Sequence, residues 1–255
     1  MEAIGHITRK SMLYQTKVEY SDWAMNHIQG CSHGCHYPCY AFLMARRFGR
    51  AKTYKDWCNP SIVDNTLELL RKELPKHHKN IKQVHLCFTT DPFMVGYPEV
   101  AKMSIYAIKL INEYDIPCYV LTKGELPSEL ADLSKINHYG ITLVTLGDEF
   151  RKKMEPGAAP IEKRLAACKA LSDAGCKTWV SMEPYPTPNV CEQELQPILD
   201  AVAFTDQIVF DRVQYDKRTS EYQDVDTFYH GAAEQVRTFC FENGIDCHVK
   251  KGTAD

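Results

Sequence analysis

No apolar run in the sequence approaches the ~20 residues that a bilayer-spanning helix needs. The opening stretch MEAIGHITRKSMLYQTKVEY has no apolar core of the kind a secretory leader carries. The expectation is a cytoplasmic protein with no membrane partner. An excess of charge is missing too: 30 Lys and Arg stand against 33 Asp and Glu, a net of −3. That balance argues against a chain whose main task is to hold nucleic acid, because phosphate neutralisation needs clustered cations. Linkers rich in Pro, Gly or Ser, internal repeats and low-complexity tracts are also absent. The chain therefore reads as one domain over residues 1–255, with 1–22 as an N-terminal extension and 214–255 as a C-terminal helix and short end segment.

Cysteine is what the sequence has in quantity. Eleven thiols, an odd number, occur in 255 residues, a length that buries a core without disulfides. In a reducing compartment, clustered thiols hold metal or do chemistry.

Short β-branched and aromatic runs alternate with helical stripes. VHLCFTT (84–90), PCYVLT (117–122), GITLVTL (140–146), CKTWVSM (176–182) and QIVFDRV (207–213) read as buried strands. Between them, Val63, Leu67, Leu70 and Leu74 form a helical stripe behind Asn59 as N-cap and Pro60 at the first helical position. Ala101, Ile105 and Ile108 form the next, and Ile161, Leu165, Cys168 and Leu171 a third that closes at Gly175. Phe228, Ala232, Val236 and Phe239 form the last, ending at Gly244. With a first strand just before Cys31, this is a βα alternation of about six units, fewer than the eight of a closed barrel. An α/β fold is expected, an open partial (β/α)6 barrel of the TIM type with parallel strands, whose functional groups gather at the strands' carboxyl ends.

The densest chemistry is Gly30-Cys31-Ser32-His33-Gly34-Cys35-His36-Tyr37-Pro38-Cys39-Tyr40-Ala41. Three thiolates on one Gly-softened loop can converge on a soft metal centre, with flanking amides aimed at sulfur. A structural zinc site wants four protein ligands, here completed by His33, His36 or Cys58, whereas an iron–sulfur cluster on three cysteines keeps one iron open. The second C-x2-C or H-x3-H pair usual for zinc is missing.

This loop resembles the cluster loop of radical S-adenosylmethionine (radical SAM) enzymes, and its CSHGC core is similar to the spore photoproduct lyase-like branch. Pro38 makes the spacing C-x3-C-x3-C where the usual pattern is C-x3-C-x2-C. The likeness runs on through the chain. Thr89-Thr90-Asp91-Pro92 with Glu99 resembles a segment that meets the methionyl part of the cofactor, and Thr122-Lys123 ends the strand that carries a carboxylate-directed lysine in that branch. Thr145 matches a cofactor-contacting Ser/Thr, while Glu155-Pro156, Ala159-Pro160 and Arg164 resemble E-P-x-x-A-P-x-x-x-R-L.

The resemblance implies a [4Fe–4S] cluster on Cys31, Cys35 and Cys39, with S-adenosylmethionine on the fourth iron. It also implies cofactor contacts from Tyr37, Thr89, Thr90, Asp91, Lys123, Thr145, Glu155 and Arg164. The implied reaction is one-electron cleavage to methionine and a 5′-deoxyadenosyl radical that takes hydrogen from a substrate. An electron donor such as flavodoxin or ferredoxin is the implied partner. Independently of the family, a zwitterionic amino acid needs a cation, which Lys123 or Arg164 can supply, and acceptors, which Thr hydroxyls or Asp91 can supply.

The substrate is less legible. Glu183, Arg212 and Tyr215 lie at or just after strand ends and are the catalytic candidates; the alternative is an ion pair between Glu183 and Arg212. A peptide or small metabolite is the default substrate. Repair of a DNA lesion in the manner of spore photoproduct lyase is the alternative, supported by the basic run Arg46, Arg47, Arg50, Lys52 and Lys55 interleaved with Phe48 and Tyr54. Against it, the repair lyases carry a hydrogen-donor cysteine two places before the second hydroxyl residue of the Thr-Thr-Asp segment. Here that place is Phe88, and Cys87 is expected by strand alternation to face the other side. Nucleic acid is thus the less favoured partner. A non-catalytic iron–sulfur or zinc protein that binds a partner is the reading from a different class.

Overall fold

Leu86, Val120, Ile141, Val180 and Ile208, one from each expected strand, are completely inaccessible or nearly so. Burial of both faces is what a parallel sheet covered by helices requires. In the computed structural model, which describes residues 4–254, these runs become strands whose extents follow in chain order. The N-terminal part contributes β1 (Gly5–Ile7), β2 (Leu13–Gln15), β3 (Trp23–Met25), β4 (Ile28–Gln29), α1 (Tyr40–Arg47), α2 (Tyr54–Trp57), β5 (Ser61–Val63) and α3 (Thr66–His77). The middle contributes β6 (Val84–Leu86), α4 (Pro98–Asn112), β7 (Cys118–Thr122), β8 (His138–Thr142), α5 (Asp148–Met154) and α6 (Ile161–Asp173). The rest are β9 (Lys177–Tyr185), α7 (Gln196–Ala201), β10 (Gln207–Arg212), α8 (Lys217–Ser220), α9 (Val225–Asn243) and β11 (Asp246–Val249). Residues 1–3 of the expected N-terminal extension, and Asp255, lie outside the described residues.

The main sheet runs β11-β10-β9-β8-β7-β6-β3-β2. All its neighbours pair in parallel except β2 with β3. The order rises without reversal, so there is no switch point of the doubly wound kind, and the two edge strands, β2 and β11, do not pair with each other. This is the expected open TIM-like arrangement. Two details differ from the sequence reading. The short end segment is a further parallel strand, β11, in register with β10. The N-terminal segment is paired as well, β1 against β5 and β2 against β3.

The α3 stripe starts later than its spacing suggests. Ser61–Val63 is drawn into β5 by ladders to both β1 and β4, so Asn59 and Pro60 do not open the helix. Asn65 occupies the N-cap without a capping bond; its side chain instead holds both main-chain groups of Arg9, at 3.0 and 2.8 Å. The α6 and α9 boundaries fall where Gly175 and Gly244 turn left-handed, at φ 75° and 67°.

Among the described residues no helix is long and apolar enough to cross a membrane. Inside the barrel, Trp179 is fully buried behind Tyr20 and His85. It fits because its register partner on β8 is Gly140, where a Cβ would lie 2.4–2.6 Å from the indole. Gly140→Ala is therefore expected to cost about 1–3 kcal/mol of unfolding free energy by overpacking, read from a urea midpoint; no loss of stability would contradict this packing.

Candidate active site

Because strands β3 and β6–β11 of the main sheet are parallel and wound in sequence order, the segments after β3, β6, β7, β9, β10 and β11 emerge at one end. They enclose a cavity of about 600 Å³. Cys31, Cys35 and Cys39 all line it, and so do Tyr37, Thr89, Thr90, Asp91 and Lys123.

The cysteine loop is held at five of its residues. Cys31 N–H donates to Trp57 O at 2.9 Å, His36 N–H to Met154 O at 2.7 Å, and Gly157 N–H to His33 O at 2.8 Å. Ser32 N–H meets Met94 Sδ at 3.3 Å, and Tyr54 OH donates to Cys35 O. Gly30 has to be glycine: its φ is 87°, and a Cβ would stand 2.6 Å from Trp57 O. The three thiols are free and half-buried. Burial raises Cys31 well above its ordinary value, with Asp91, Cys35 and Cys39 adding to the rise while the His33 backbone N–H bonds the sulfur and opposes it. Burial likewise lifts Cys35 to about 11, and Lys123 opposes that rise, its Nζ lying 3.8 Å from Cys35 Sγ.

Asp91 joins this loop to the sheet. Its Oδ2 accepts from His33 Nε2 and from Lys123 N–H, both at 2.7 Å. Its Oδ1 accepts from Thr122 Oγ1 at 2.7 Å and Phe93 N–H at 2.8 Å. Burial alone pushes the Asp91 carboxyl up, but His33 and these donors outweigh it and hold it below the usual carboxylate range. A second buried network follows. Lys123 Nζ pairs with Glu155 Oε1 at 2.7 Å and Arg164 Nη2 with Glu155 Oε2 at 2.9 Å. Arg164 also donates to Ala159 O and Thr142 O. Glu155 and Arg164 are 3% and 1% exposed and lie outside the cavity lining, where they hold Lys123. Burial pulls the Lys123 ammonium down, and Cys35 and Glu155 beside it reverse that, leaving it above its ordinary range and charged.

Thr145, like Glu155 and Arg164, does not line the cavity, and among the described residues it has no bond to that network. β8 ends at Thr142, and Thr145 lies in the loop beyond, its Oγ1 accepting from Gly147 N–H at 2.9 Å. Thr142 lines the cavity in its stead. Strand alternation does not govern Cys87 either, since β6 ends at Leu86 and Cys87 has φ 55°. Its Sγ lies 3.4 Å from His27 Nδ1, and, contrary to the expectation that it faces the other side, Cys87 lines the cavity together with Phe88.

The opposite wall carries Glu183, Asp211, Arg212, Tyr215 and Lys250. The alternative Glu183–Arg212 pair does not form. Lys250 Nζ sits 3.3 Å from both Glu183 Oε1 and Asp211 Oδ2, while Arg212 pairs with Asp226 at 3.0 Å and covers the Tyr229 ring. Asp211 and Lys250 were not read from the sequence; their only signal is a place at or just after the ends of the last strands. Burial raises the Glu183 carboxyl, with Lys250 opposing. Tyr215, 79% exposed at φ 62°, stands at the mouth.

The donor set fits an iron–sulfur cluster: three thiols of one loop line a single cavity, the number that leaves one iron of such a cluster open. Tyr37 OH, buried against Lys123, also has no hydrogen-bond partner among the described residues, as expected of a group facing a ligand.

Comparison with known proteins places these residues in context. The radical SAM superfamily model matches residues 25–202. The chain is 24% identical over 195 residues to "Uncharacterized protein ORF301" of Acidianus two-tailed virus, covering 72% of this chain and 63% of that protein. It is 26% identical over 183 residues to "Uncharacterized protein MJ0683" of Methanocaldococcus jannaschii, covering 70% and 66%. It thus spans a little under two thirds of the length of these relatives. Among solved structures, spore photoproduct lyase complexed with dinucleoside spore photoproduct superposes with a TM-score of 0.71 at 16% identity, covering 96% of this chain and 80% of that one. SuiB of Streptococcus suis bound to S-adenosylmethionine gives 0.53 at 14% identity, covering 71% and 41%.

Gly157 generates a direct test, since its Cβ would lie 2.3 Å from Ser32 O and 2.9 Å from His33 Cα. Gly157→Ala is expected to shift the cysteine loop and lower the iron retained after reconstitution. Gly231→Ala in α9, where a Cβ meets nothing, should retain iron and gain about 0.5–1 kcal/mol of stability. Equal iron in both variants would contradict the placement of the loop.

Proposed function

The chain belongs to the radical SAM superfamily of enzymes, and on that premise we propose that Cys31, Cys35 and Cys39 hold the [4Fe–4S] cluster this family uses, with S-adenosylmethionine at its open iron. The observation that carries the reading is the convergence of the three thiols, Lys123 and the Thr89–Asp91 segment on one cavity at the carboxyl ends of the strands. When bound, the pair supplies one-electron cleavage of the sulfonium to methionine and a 5′-deoxyadenosyl radical that takes hydrogen from a substrate.

The protein's part is to bind, orient and exclude water. Glu155 divides one negative charge between Lys123 and Arg164, so the network keeps a net positive charge for the cofactor's carboxylate. Asp91 is committed to four protein donors; the cofactor's ammonium is therefore assigned to the Thr hydroxyls and main-chain carbonyls beside it. Tyr37 is assigned a polar contact, and Glu155 and Arg164 are positioning residues. Thr145 has no part in this assignment.

The substrate is assigned to the wall of Glu183, Asp211, Arg212, Tyr215 and Lys250. A peptide or small metabolite is the proposed class. A lesion-repair reaction is second, because Phe88 holds the place where the repair lyases carry a cysteine. The electron is assigned to a flavodoxin or ferredoxin and the setting to a cytoplasm kept free of oxygen.

Anaerobic reconstitution is expected to give about four iron and four sulfide per chain, and dithionite reduction with S-adenosylmethionine to give methionine and 5′-deoxyadenosine. Cys39→Ala should lose both, whereas Lys123→Met should keep iron and bind S-adenosylmethionine about tenfold more weakly. Zinc, or a cluster that leaves the cofactor intact, would overturn the proposal.

A further inference from the structure

A second cavity, of about 610 Å³, adjoins the first along the segment 88–90 and helix α1. The two share seven lining residues, Tyr40, Trp57 and Phe88–Thr90 among them. Arg9, Lys10 and Arg50 line it, and no Asp or Glu does, among the described residues.

The arginines come from distant parts of the chain, and the fold fixes both. Asn65 clamps the Arg9 main chain, and Arg9 Nη1 donates to Asn26 O at 2.8 Å. Asn26 in turn accepts from Thr89 N–H at 3.1 Å and donates to Tyr14 OH, so the arginine is braced against the wall the cavities share. Arg50 follows the left-handed Gly49, φ 68°, where a Schellman-type ending of α1 turns the chain back: Gly49 N–H bonds Arg46 O and Arg50 N–H bonds Ala45 O. Half-buried Arg9 has no carboxylate partner among the described residues; burial and the Arg50 charge both bear against its own. Two guanidiniums that line one cavity with no carboxylate in it repel each other and attract an anion.

We propose that this pocket binds the phosphomonoester group of the substrate, whose remainder crosses the shared wall into the cysteine-lined cavity. A carboxylate is satisfied by one bidentate arginine, whereas a dianionic phosphate offers three oxygens and two charges, the number that Arg9 and Arg50 supply together. Phe48, Trp57 and Tyr40 give the pocket an aromatic wall on which a ring next to the phosphate packs. What the bound molecule undergoes rests on the radical SAM reading of the neighbouring cavity; the binding itself does not.

Phenyl phosphate, with its ring and terminal dianion, is the probe, titrated calorimetrically into the anaerobically purified full chain. It should bind at least about tenfold more tightly than benzoate, and exposed Arg50→Gln should weaken it by about tenfold or more, with Arg50→Glu abolishing binding and Lys72→Gln on α3 leaving it unchanged. Cys35→Ala, which loses the cluster under the proposed function, should bind phenyl phosphate as the parent does; that separates failure of the pocket from failure of the cluster assignment. Equal binding by the Arg50 variants, preference for benzoate, or equally effective competition by a single-stranded oligodeoxynucleotide lacking terminal phosphates would overturn the proposal, the last by pointing to a phosphodiester track.

Discussion

A buried carboxylate survives only where its lone pairs are filled, and Asp91, 4% exposed, has all of them filled by groups that must themselves be positioned. One oxygen takes the His33 ring and the Lys123 N–H; the other takes the Thr122 hydroxyl and the Phe93 N–H. The loop after β4, the turn after β6 and the end of β7 are thereby fastened at one point. From Lys123 the connection continues through Glu155 and Arg164 to the carbonyl at the end of β8. A chain of charge-assisted bonds thus crosses successive strand ends in the order in which the sheet lays them side by side. The thiols have no comparable network among themselves and take their place from it.

The two walls of the cavity follow different chemistry. On the cysteine side the charged groups are tied to one another inside the protein, and Lys123, Glu155 and Arg164 together remain net positive. On the far side Glu183 and Asp211 share a single Lys250, while Arg212 turns to an exposed Asp226. The first arrangement suits a cofactor that is the same in every turnover. The second, built on the last strands and open beside Tyr215, suits recognition that differs among relatives of one fold.

The sequence discloses what is local. Three cysteines on a Gly-rich loop, a Thr-Thr-Asp turn after a strand and a lysine at the next strand end are readable because the chemistry needs those residue types close together. Helical stripes closing at Gly175 and Gly244 are readable because a left-handed cap is a one-residue demand. Long-range pairing is what stays hidden. Ser61–Val63 leaves its helical stripe because β1 and β4 claim it. Thr145 falls outside the cavity because β8 stops at Thr142. Glu183 meets Lys250 rather than Arg212 because β11 adds a strand at the edge, which four residues with weak alternation do not announce. Arg9 and Arg50 come to line one cavity only through a clamp on one and a helix ending on the other.

The Asp91 carboxylate ties the cysteine loop to the sheet, and a double-mutant cycle on unfolding free energy measures that tie. With Asp91→Asn, His33→Gln and the double variant compared in metal-free protein, a coupling energy above about 1.5 kcal/mol between the two positions is expected. Additive single effects, with coupling under about 0.5 kcal/mol, would contradict it.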